Sequence, residues 1–162
     1  MVATPALVRR ESSTADAEEL ISSVHEVIRS VLRRTHPALE AEGISMGQFW
    51  ALHLVSSLRS ASVSTVARHL SVSAPTVCAN VDQLEAAGLV TRHRSERDRR
   101  AVDLTLTAKG RKVESRIWNR MGEVMVEASR ELPAEDVRAA VRVFREVGQR
   151  LESPEAMSVE GS

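Results

Sequence analysis

The stretch VSTVARHLSVSAPTVCANVDQLEAAGLVTRHRSERDRRAVDLTLTAKG, residues 63–110, decides the fold that the sequence predicts. Its first part favours two short helices. Ser64 is expected to cap the first, while Ser73 caps the second and Gly88 ends it. Only the turn 71–73 separates them, and two helices joined by so tight a turn form a helix-turn-helix.

The residues after Gly88 change from helical spacing to the spacing of two strands. Residues 89–94 and 101–106 favour strands, the second by its alternation of apolar and polar side chains, and residues 95–100 form the hairpin tip. The hairpin carries five arginines: Arg92, Arg94, Arg97, Arg99 and Arg100. A globular core needs no such cluster at a turn, whereas guanidinium groups contact phosphates and enter the narrow minor groove of DNA. We interpret the hairpin as a DNA-binding wing; the alternative is a solvated charged turn.

Two helices are predicted ahead of this stretch. Apolar residues recur at three- and four-residue intervals over residues 15–35. His36-Pro37 is expected to end this first helix, because the residue before a proline avoids helical geometry. Ser45 and Gln48, three residues apart, form a capping-box pattern that starts the second helix.

Two more helices are predicted behind the hairpin. Thr107 is expected to cap a long helix that ends before the pair Leu132-Pro133. Apolar spacing then continues in a last helix to Leu151. The predicted fold class is therefore mainly α with a small β-hairpin.

The formal charge of the chain is zero, but the charges are unevenly placed. Residues 59–112 hold 10 basic and 5 acidic side chains, whereas residues 1–43 and 113–162 are both net acidic. A basic centre favours a polyanionic partner, although a surplus of this size is also consistent with a solvated face.

Composition narrows the class of protein. With 162 residues, of which 43% are apolar and 27% charged, the chain is expected to form one globular domain rather than a disordered or membrane protein. We expect a cytoplasmic location, because no secretory signal or membrane-spanning stretch is evident. The single cysteine, Cys78, excludes an intramolecular disulfide. No phosphate-binding glycine loop or catalytic serine motif is present, so we expect neither an enzyme nor a cofactor.

The helix that follows Ser73 presents a small and nearly uncharged surface. At about 100° per residue, Val77, Val81 and Leu84 point inward. Six residues then lie on the outward face or its flanks: Ser73, Pro75, Thr76, Ala79, Asn80 and Gln83. Asn and Gln match adenine and a threonine methyl matches the thymine methyl, so this face is expected to read bases in the major groove. The alternative is simply the polar side of an exposed helix.

Several elements of residues 63–110 have spacings that resemble one known family. They are Ser73-Ala74-Pro75-Thr76-Val77, Val81-Asp82-Gln83-Leu84-Glu85, Gly88-Leu89-Val90 with Arg92, Asp98-Arg99-Arg100, and Leu106-Thr107-Ala108-Lys109-Gly110. Together with helices on both sides, they resemble the MarR family of winged helix-turn-helix regulators. The resemblance implies a homodimer on a pseudo-palindromic site, with Arg100 in the minor groove. Ala79 departs from the family, many of whose members carry arginine there, so the resemblance does not give the operator sequence.

The helical regions at both ends of the chain show wide apolar stripes that a winged helix alone cannot cover. Together with the resemblance, they predict a helical dimerisation region formed by residues 15–36 and 108–151, and a DNA-binding lobe over residues 45–107. Residues 1–14 and 153–162 are expected to be disordered tails. The alternative for the terminal helices is a helical subdomain within a monomer.

The resemblance also implies a small-molecule effector that changes DNA affinity. Trp50 and His53 on the second helix are the candidate ligand residues, although both are equally typical of a core or its boundary. Cys78 is interpreted as a flank residue, and the 5 scattered histidines predict no metal site. The predicted function is a sequence-specific, double-stranded DNA-binding regulator, most often a repressor, that acts as a homodimer. The alternatives are a winged helix used for protein contacts and a non-specific architectural DNA-binding protein.

Overall fold

Helices form most of this chain. The computed structural model describes residues 13–58, 61–94 and 102–152. In chain order the elements are α1 (Thr14–Glu42), α2 (Met46–Ser57), α3 (Val63–Leu70), α4 (Ala74–Ala86), β1 (Val90–Arg94), β2 (Val102–Leu106), α5 (Ala108–Ser129) and α6 (Ala134–Glu152). The predicted fold class, mainly α with a small hairpin, is confirmed. The chain divides into two compact units, one up to Gly122 and one from Glu123 onward.

The core of the first unit lies where α2, α3 and α4 pack around the hairpin. The buried side chains come from all of these elements: Phe49, Leu52, Val66, Val77, Val81, Leu84 and Leu104. The three positions of α4 that were predicted to point inward are among them, so that prediction is confirmed. Burial of one such side chain stabilises a fold by about 1.5–3 kcal/mol, so this cluster fixes which side of α4 faces outward.

The hairpin consists of β1 and β2 in antiparallel register. Val90 lies opposite Leu106, and Arg94 lies opposite Val102. Both predicted strands are confirmed, whereas the predicted tip falls within residues 95–101, which lie outside the described residues. β2 is also held on its other side, since the amide of Leu104 donates to the carbonyl of Ala61 at 2.7 Å. The base of the hairpin is therefore fixed to the segment that leads into α3.

Hydrogen bonds confirm the predicted starts of α2 and α4. The amide of Gln48 donates to Ser45 Oγ at 3.2 Å, and the amide of Ser45 donates to Gln48 Oε1 at 2.6 Å, which completes a capping box. At α4, Ser73 Oγ accepts the amide of Thr76 at 3.3 Å. Both helix starts are thus fixed by residues within the first turn, which is why the sequence could predict them.

The start of α5 packs closely on the loop that follows α4. Thr107 Oγ1 accepts the amide of Gly110 at 2.9 Å and donates to the carbonyl of Gly88 at 2.8 Å, which confirms the predicted cap. A Cβ atom at Gly110 would lie 2.0 Å from the carbonyl oxygen of Leu89. No side chain fits there, and this close approach is the physical reason for glycine at this position.

The predicted end of α1 at His36-Pro37 is wrong. The helix continues through both residues to Glu42, and Gly43 ends it in the left-handed conformation with a φ of 66°. Proline within a helix removes one backbone donor, but the longer helix brings Leu39 to the core and leads into the buried Ile44. The amide of Ile44 donates to the carbonyl of Leu39 at 3.2 Å, which closes the helix with a Schellman-type cap.

The predicted cap of α3 at Ser64 is also wrong. Ser62 takes this position, because its backbone is extended and its Oγ accepts the amide of Thr65 at 3.1 Å. The helix then begins at Val63, whose side chain packs against the core. Either serine could cap a helix, and the packing of Val63 decides between them.

α1 begins with a second capping box. Ser13 Oγ accepts the amide of Asp16 at 3.2 Å, and the amide of Ser13 donates to Asp16 Oδ2 at 2.9 Å. The backbone hydrogen bond from Ser13, followed by the one from its side chain, lowers the pKa of Asp16 below its ordinary value. Ser13 and Thr14 therefore belong to the start of a helix, whereas the rest of the predicted tails, residues 1–12 and 153–162, lies outside the described residues.

Candidate nucleic-acid interface

The start of α4 presents the residues that were predicted to read bases. Ser73, Pro75, Thr76, Ala79 and Gln83 are exposed, and Asn80 is half-buried. No residue from Ala74 to Val81 is charged. The start of a helix also offers backbone amides without intrahelical acceptors and a partial positive charge. The structure thus brings the six predicted residues together on one side of α4, on a surface that a polyanion can approach.

Two hydroxyl groups at this helix start are held by each other. Ser73 Oγ lies 2.7 Å from Thr76 Oγ1, in addition to accepting the amide of Thr76. These bonds restrict the rotamers of both side chains. The surface at the beginning of α4 is therefore ordered before any partner binds.

Two side chains of α4 lie beside the start of α2. Gln48 Nε2 donates a hydrogen bond to Gln83 Oε1, and Gln48 Oε1 accepts the amide of Ser45. The backbone amide of Ser45 can only donate, so the side-chain oxygen of Gln48 must face Ser45. The side-chain NH2 of Gln48 therefore faces Gln83 and is the donor of that bond. Asn80 Nδ2 lies 3.5 Å from where a Cβ would stand at Gly47. The sequence identified Gln48 only as a capping residue, and local spacing gives no signal for a contact across 35 residues.

Arg92 of β1 lies against α4. Its Nη1 donates to Glu85 Oε2 and its Nη2 donates to Asp82 Oδ1, both at 2.6 Å. The hydrogen bond to Asp82 is the largest cause that raises the pKa of Arg92 above its ordinary value, and the charge of Glu85 acts in the same direction. The sequence predicted Arg92 as part of a DNA-binding wing but gave no sign of its two acidic partners. The structure shows that this arginine ties the wing strand to α4.

Of the other predicted wing arginines, the structure describes one. Arg94 is exposed at the end of β1, opposite Val102. Arg97, Arg99 and Arg100 lie outside the described residues. The structure therefore describes the base of the predicted wing, with one exposed arginine at its edge.

The two candidate ligand residues, Trp50 and His53, belong to an aromatic cluster between α2 and α5. Their ring centroids are 5.9 Å apart in an edge-on arrangement. His53 also stacks on Trp118, with 4.2 Å between centroids, and its Nδ1 lies 2.8 Å from Glu114 Oε1. Glu114 is buried, at 8% exposed. Glu114 and Trp118 were not predicted as part of this cluster, because their four-residue spacing shows a shared helix face but not what that face contacts.

Apolar side chains form exposed stripes on α1 and on α6. On α1 the exposed fraction of four residues is between 37% and 69%: Leu20, Ile21, Val27 and Ile28. On α6, where no residue is buried, it is between 49% and 73% for another four: Val141, Val143, Phe144 and Leu151. Contiguous apolar surface of this kind is typical of a site that another molecule covers.

The described ranges hold neither a candidate metal site nor a candidate membrane-spanning helix. Within residues 13–58, 61–94 and 102–152, no group of three His, Cys, Asp or Glu side chains is placed to hold a metal ion. In the same ranges no helix has both the length and the apolar character needed to cross a bilayer. Cys78 is a free and exposed thiol on α4.

A helix-turn-helix that leads directly into an antiparallel hairpin is a winged helix-turn-helix, and α3, α4, β1 and β2 form one here. Residues 42–101 match the model of a protein family described as the MarR family. The winged helix-turn-helix segment of this chain is therefore similar to the MarR family, the family that its motifs resemble.

Individual relatives agree with this similarity. The chain is 28% identical over 98 residues to the HTH-type transcriptional repressor MdtR of Bacillus subtilis (strain 168), an alignment that covers 58% of this chain and 63% of that protein. The structure of a MarR family protein from Bacillus stearothermophilus has a TM-score of 0.77 at 20% identity and covers 88% of this chain and 100% of its own. Staphylococcus aureus MarR in complex with salicylate and kanamycin has a TM-score of 0.74 at 22% identity, with 86% and 96% covered. At these identities the two solved structures establish the shared fold.

Proposed function

We propose that the chain is a sequence-specific, double-stranded DNA-binding transcriptional regulator and that it acts as a repressor. One observation carries the proposal: the exposed and uncharged start of α4 lies in the same lobe as an arginine-bearing hairpin. A helix enters the major groove where its side chains are small, and arginines beside it contact phosphates. The family match supports this reading, as does the name of the Bacillus subtilis relative, a transcriptional repressor.

In this proposal α4 lies in the major groove. Three side chains contact base edges, since each has a hydrogen-bonding group and is exposed or half-buried: Thr76, Asn80 and Gln83. Three smaller or rigid residues keep the helix surface close to the DNA: Ser73, Pro75 and Ala79. The hydrogen bond from Gln48 holds Gln83 in place before binding.

The hairpin acts as the wing. Four arginines are proposed to contact phosphates, with Arg100 in the minor groove: Arg94, Arg97, Arg99 and Arg100. Arg92 is set apart from these four, because its guanidinium is already paired with Asp82 and Glu85.

We further propose that two copies bind one pseudo-palindromic site. The exposed apolar stripes of α1 and α6 support this proposal, since a second copy would cover them. Residues 15–36 and 108–151 then form the dimerisation region, and residues 45–107 form the DNA-binding lobe. A twofold axis places two copies of α4 in successive major grooves, about 34–36 Å apart.

A small-molecule effector is proposed to bind near Trp50 and His53 and to change DNA affinity. The pairing of His53 with Glu114 and its stacking on Trp118 join α2 to α5, so a ligand that separates these rings would shift α2. Staphylococcus aureus MarR forms a complex with salicylate, which makes salicylate a reasonable probe. We expect salicylate to release DNA from the wild type but not from His53→Ala; equal release from both would contradict this site.

Selection of bound duplexes from a random pool tests the proposed function. We expect mirrored half-sites centred about 10–10.5 base pairs, or a multiple of this, apart. Their affinity should exceed that of random DNA by at least roughly 10³-fold at the same salt concentration. Unrelated sequences with a steep salt dependence would instead identify an architectural DNA-binding protein. Recovery of no duplex would favour a winged helix used for protein contacts.

A further inference from the structure

Two carboxylates lie on the helix that we propose to read DNA. Asp82 and Glu85 are three residues apart on α4, so they share a face, and their side chains are 62% and 41% exposed. In about 0.1 M salt, charges interact over roughly 10 Å. A helix that lies in the major groove is within this distance of the nearest phosphates. The second half of α4 therefore carries negative charge that opposes DNA binding unless another group offsets it.

Arg92 is placed to offset this charge. One end of its guanidinium contacts Glu85 and the other contacts Asp82, each at 2.6 Å. A planar guanidinium can engage two carboxylates at once, whereas the compact ammonium of a lysine presents no such fork. The side chain of Arg92 is also only 27% exposed, in contrast to the exposed Arg94 two residues later on the same strand.

We propose that Arg92 is a positioning residue that neutralises Asp82 and Glu85 and holds the wing strand to α4, and that it makes no phosphate contact of its own. This inference rests on the proposed DNA-binding function and deepens it. A phosphate close enough to contact Arg92 would also approach both carboxylates, which would repel it. The contribution of Arg92 to affinity therefore depends on the two carboxylates being present.

A cycle of four proteins tests this dependence: the wild type, Arg92→Gln, Asp82→Asn/Glu85→Gln, and the triple variant. Affinity for the selected duplex is measured over a range of salt concentrations. We expect Arg92→Gln to weaken binding roughly tenfold when both carboxylates are present. In the background that lacks them, we expect the same change to alter affinity by less than about twofold. In that same background the slope of affinity against salt should also stay the same, because no phosphate contact is lost.

An equal loss in both backgrounds, with a salt slope reduced by about one, would overturn the inference and identify Arg92 as a phosphate contact. Thermal unfolding of the four free proteins verifies that each is folded. If Arg92→Gln does not fold, Arg92→Lys replaces it in the cycle, with a smaller loss expected because the charge is kept. Failure of the wild type to select any duplex would overturn the proposed function itself, which the cycle distinguishes from an error about Arg92.

Discussion

Apolar residues are placed differently in two regions of the chain. One region is the lobe formed by residues 45–107, and the other is α6. In the lobe, Phe49, Leu52 and Leu84 are at most 1% exposed. In α6 no residue is buried, and Phe144 exposes 49% of its surface. An apolar side chain left in water gains nothing from burial, so the lobe is stabilised by its own core, whereas the apolar side chains of α6 contribute little unless another molecule covers them. We interpret that molecule as a second copy of the chain.

The largest expected effect comes from replacing a phenylalanine by alanine, once in the core of the lobe and once on α6. Phe49→Ala should lower the free energy of unfolding by about 3–5 kcal/mol, because it leaves a cavity in the core of the lobe. Phe144→Ala should lower it by less than about 1 kcal/mol when the chain is monomeric, because the ring is half-exposed. Urea unfolding at protein concentrations where sedimentation shows a monomer measures both values. Equal losses would show that α6 is covered within one chain.

A second experiment breaks the proposed contact of α6. Val141→Ser/Phe144→Ser should weaken self-association roughly hundredfold or more, since a twofold interface loses each side chain twice. Arg142→Ser, on the opposite side of the same helix, is the matched control and should leave association unchanged. Sedimentation equilibrium provides the measurement. A wild type that is monomeric at micromolar concentration would contradict the dimer.

Most of the fold could be predicted because helix and strand boundaries depend largely on near neighbours. Ser45, Ser73 and Thr107 each bond to an amide three residues later, so their caps are visible in the sequence. The two errors have a different origin. The helix continues past Pro37, and Ser62 rather than Ser64 caps α3, because packing of side chains against the core decides both boundaries.

The candidate site was predicted where it depends on one helix and missed where it depends on two elements. A helical wheel is enough to place the six residues of the α4 surface. The bonds that position this surface and its surroundings span 35 residues for Gln48–Gln83, 10 for Asp82–Arg92 and 61 for His53–Glu114. No local spacing encodes such contacts, and so the paired state of Arg92 appears only in the folded chain.

The hydrogen bond between Gln48 and Gln83 can be tested for its effect on base recognition by the lobe. Gln48→Leu should lower the free energy of unfolding by about 1 kcal/mol and broaden the base preference at the position that Gln83 contacts, because Gln83 is then free to rotate. Gln48→Glu is the matched variant, because its carboxylate still accepts the amide of Ser45 but cannot donate to Gln83. The side-chain amide of Gln83 should then flip, so that its NH2 group faces position 48. Repeated selection from the random pool compares base preferences. Identical preferences in all three proteins would show that this bond does not influence recognition.

The smallest expected effect is confined to the start of α1. The hydrogen bonds with Ser13 lower the folded-state pKa of Asp16. The ionised carboxylate therefore stabilises the start of α1 at pH values above the unfolded-state pKa, and this stabilisation is lost as pH falls through the lower folded-state pKa. We therefore expect the first turn of α1 to fray below about pH 4, while the lobe stays folded. Amide exchange of Ser13 followed by NMR measures this change. Asp16→Asn should remove the pH dependence, and its persistence in that variant would assign the fraying to another group.

The central claim is that two copies of α4 occupy the major groove of two half-sites on one duplex. Protection of guanine N7 atoms from methylation tests it most directly, measured with bound protein on a selected duplex that carries guanines within both half-sites. The account predicts two protected patches on the same face of the DNA, centred about 10–10.5 base pairs or a multiple of this apart. A single patch, or binding that leaves every guanine N7 reactive, would contradict it.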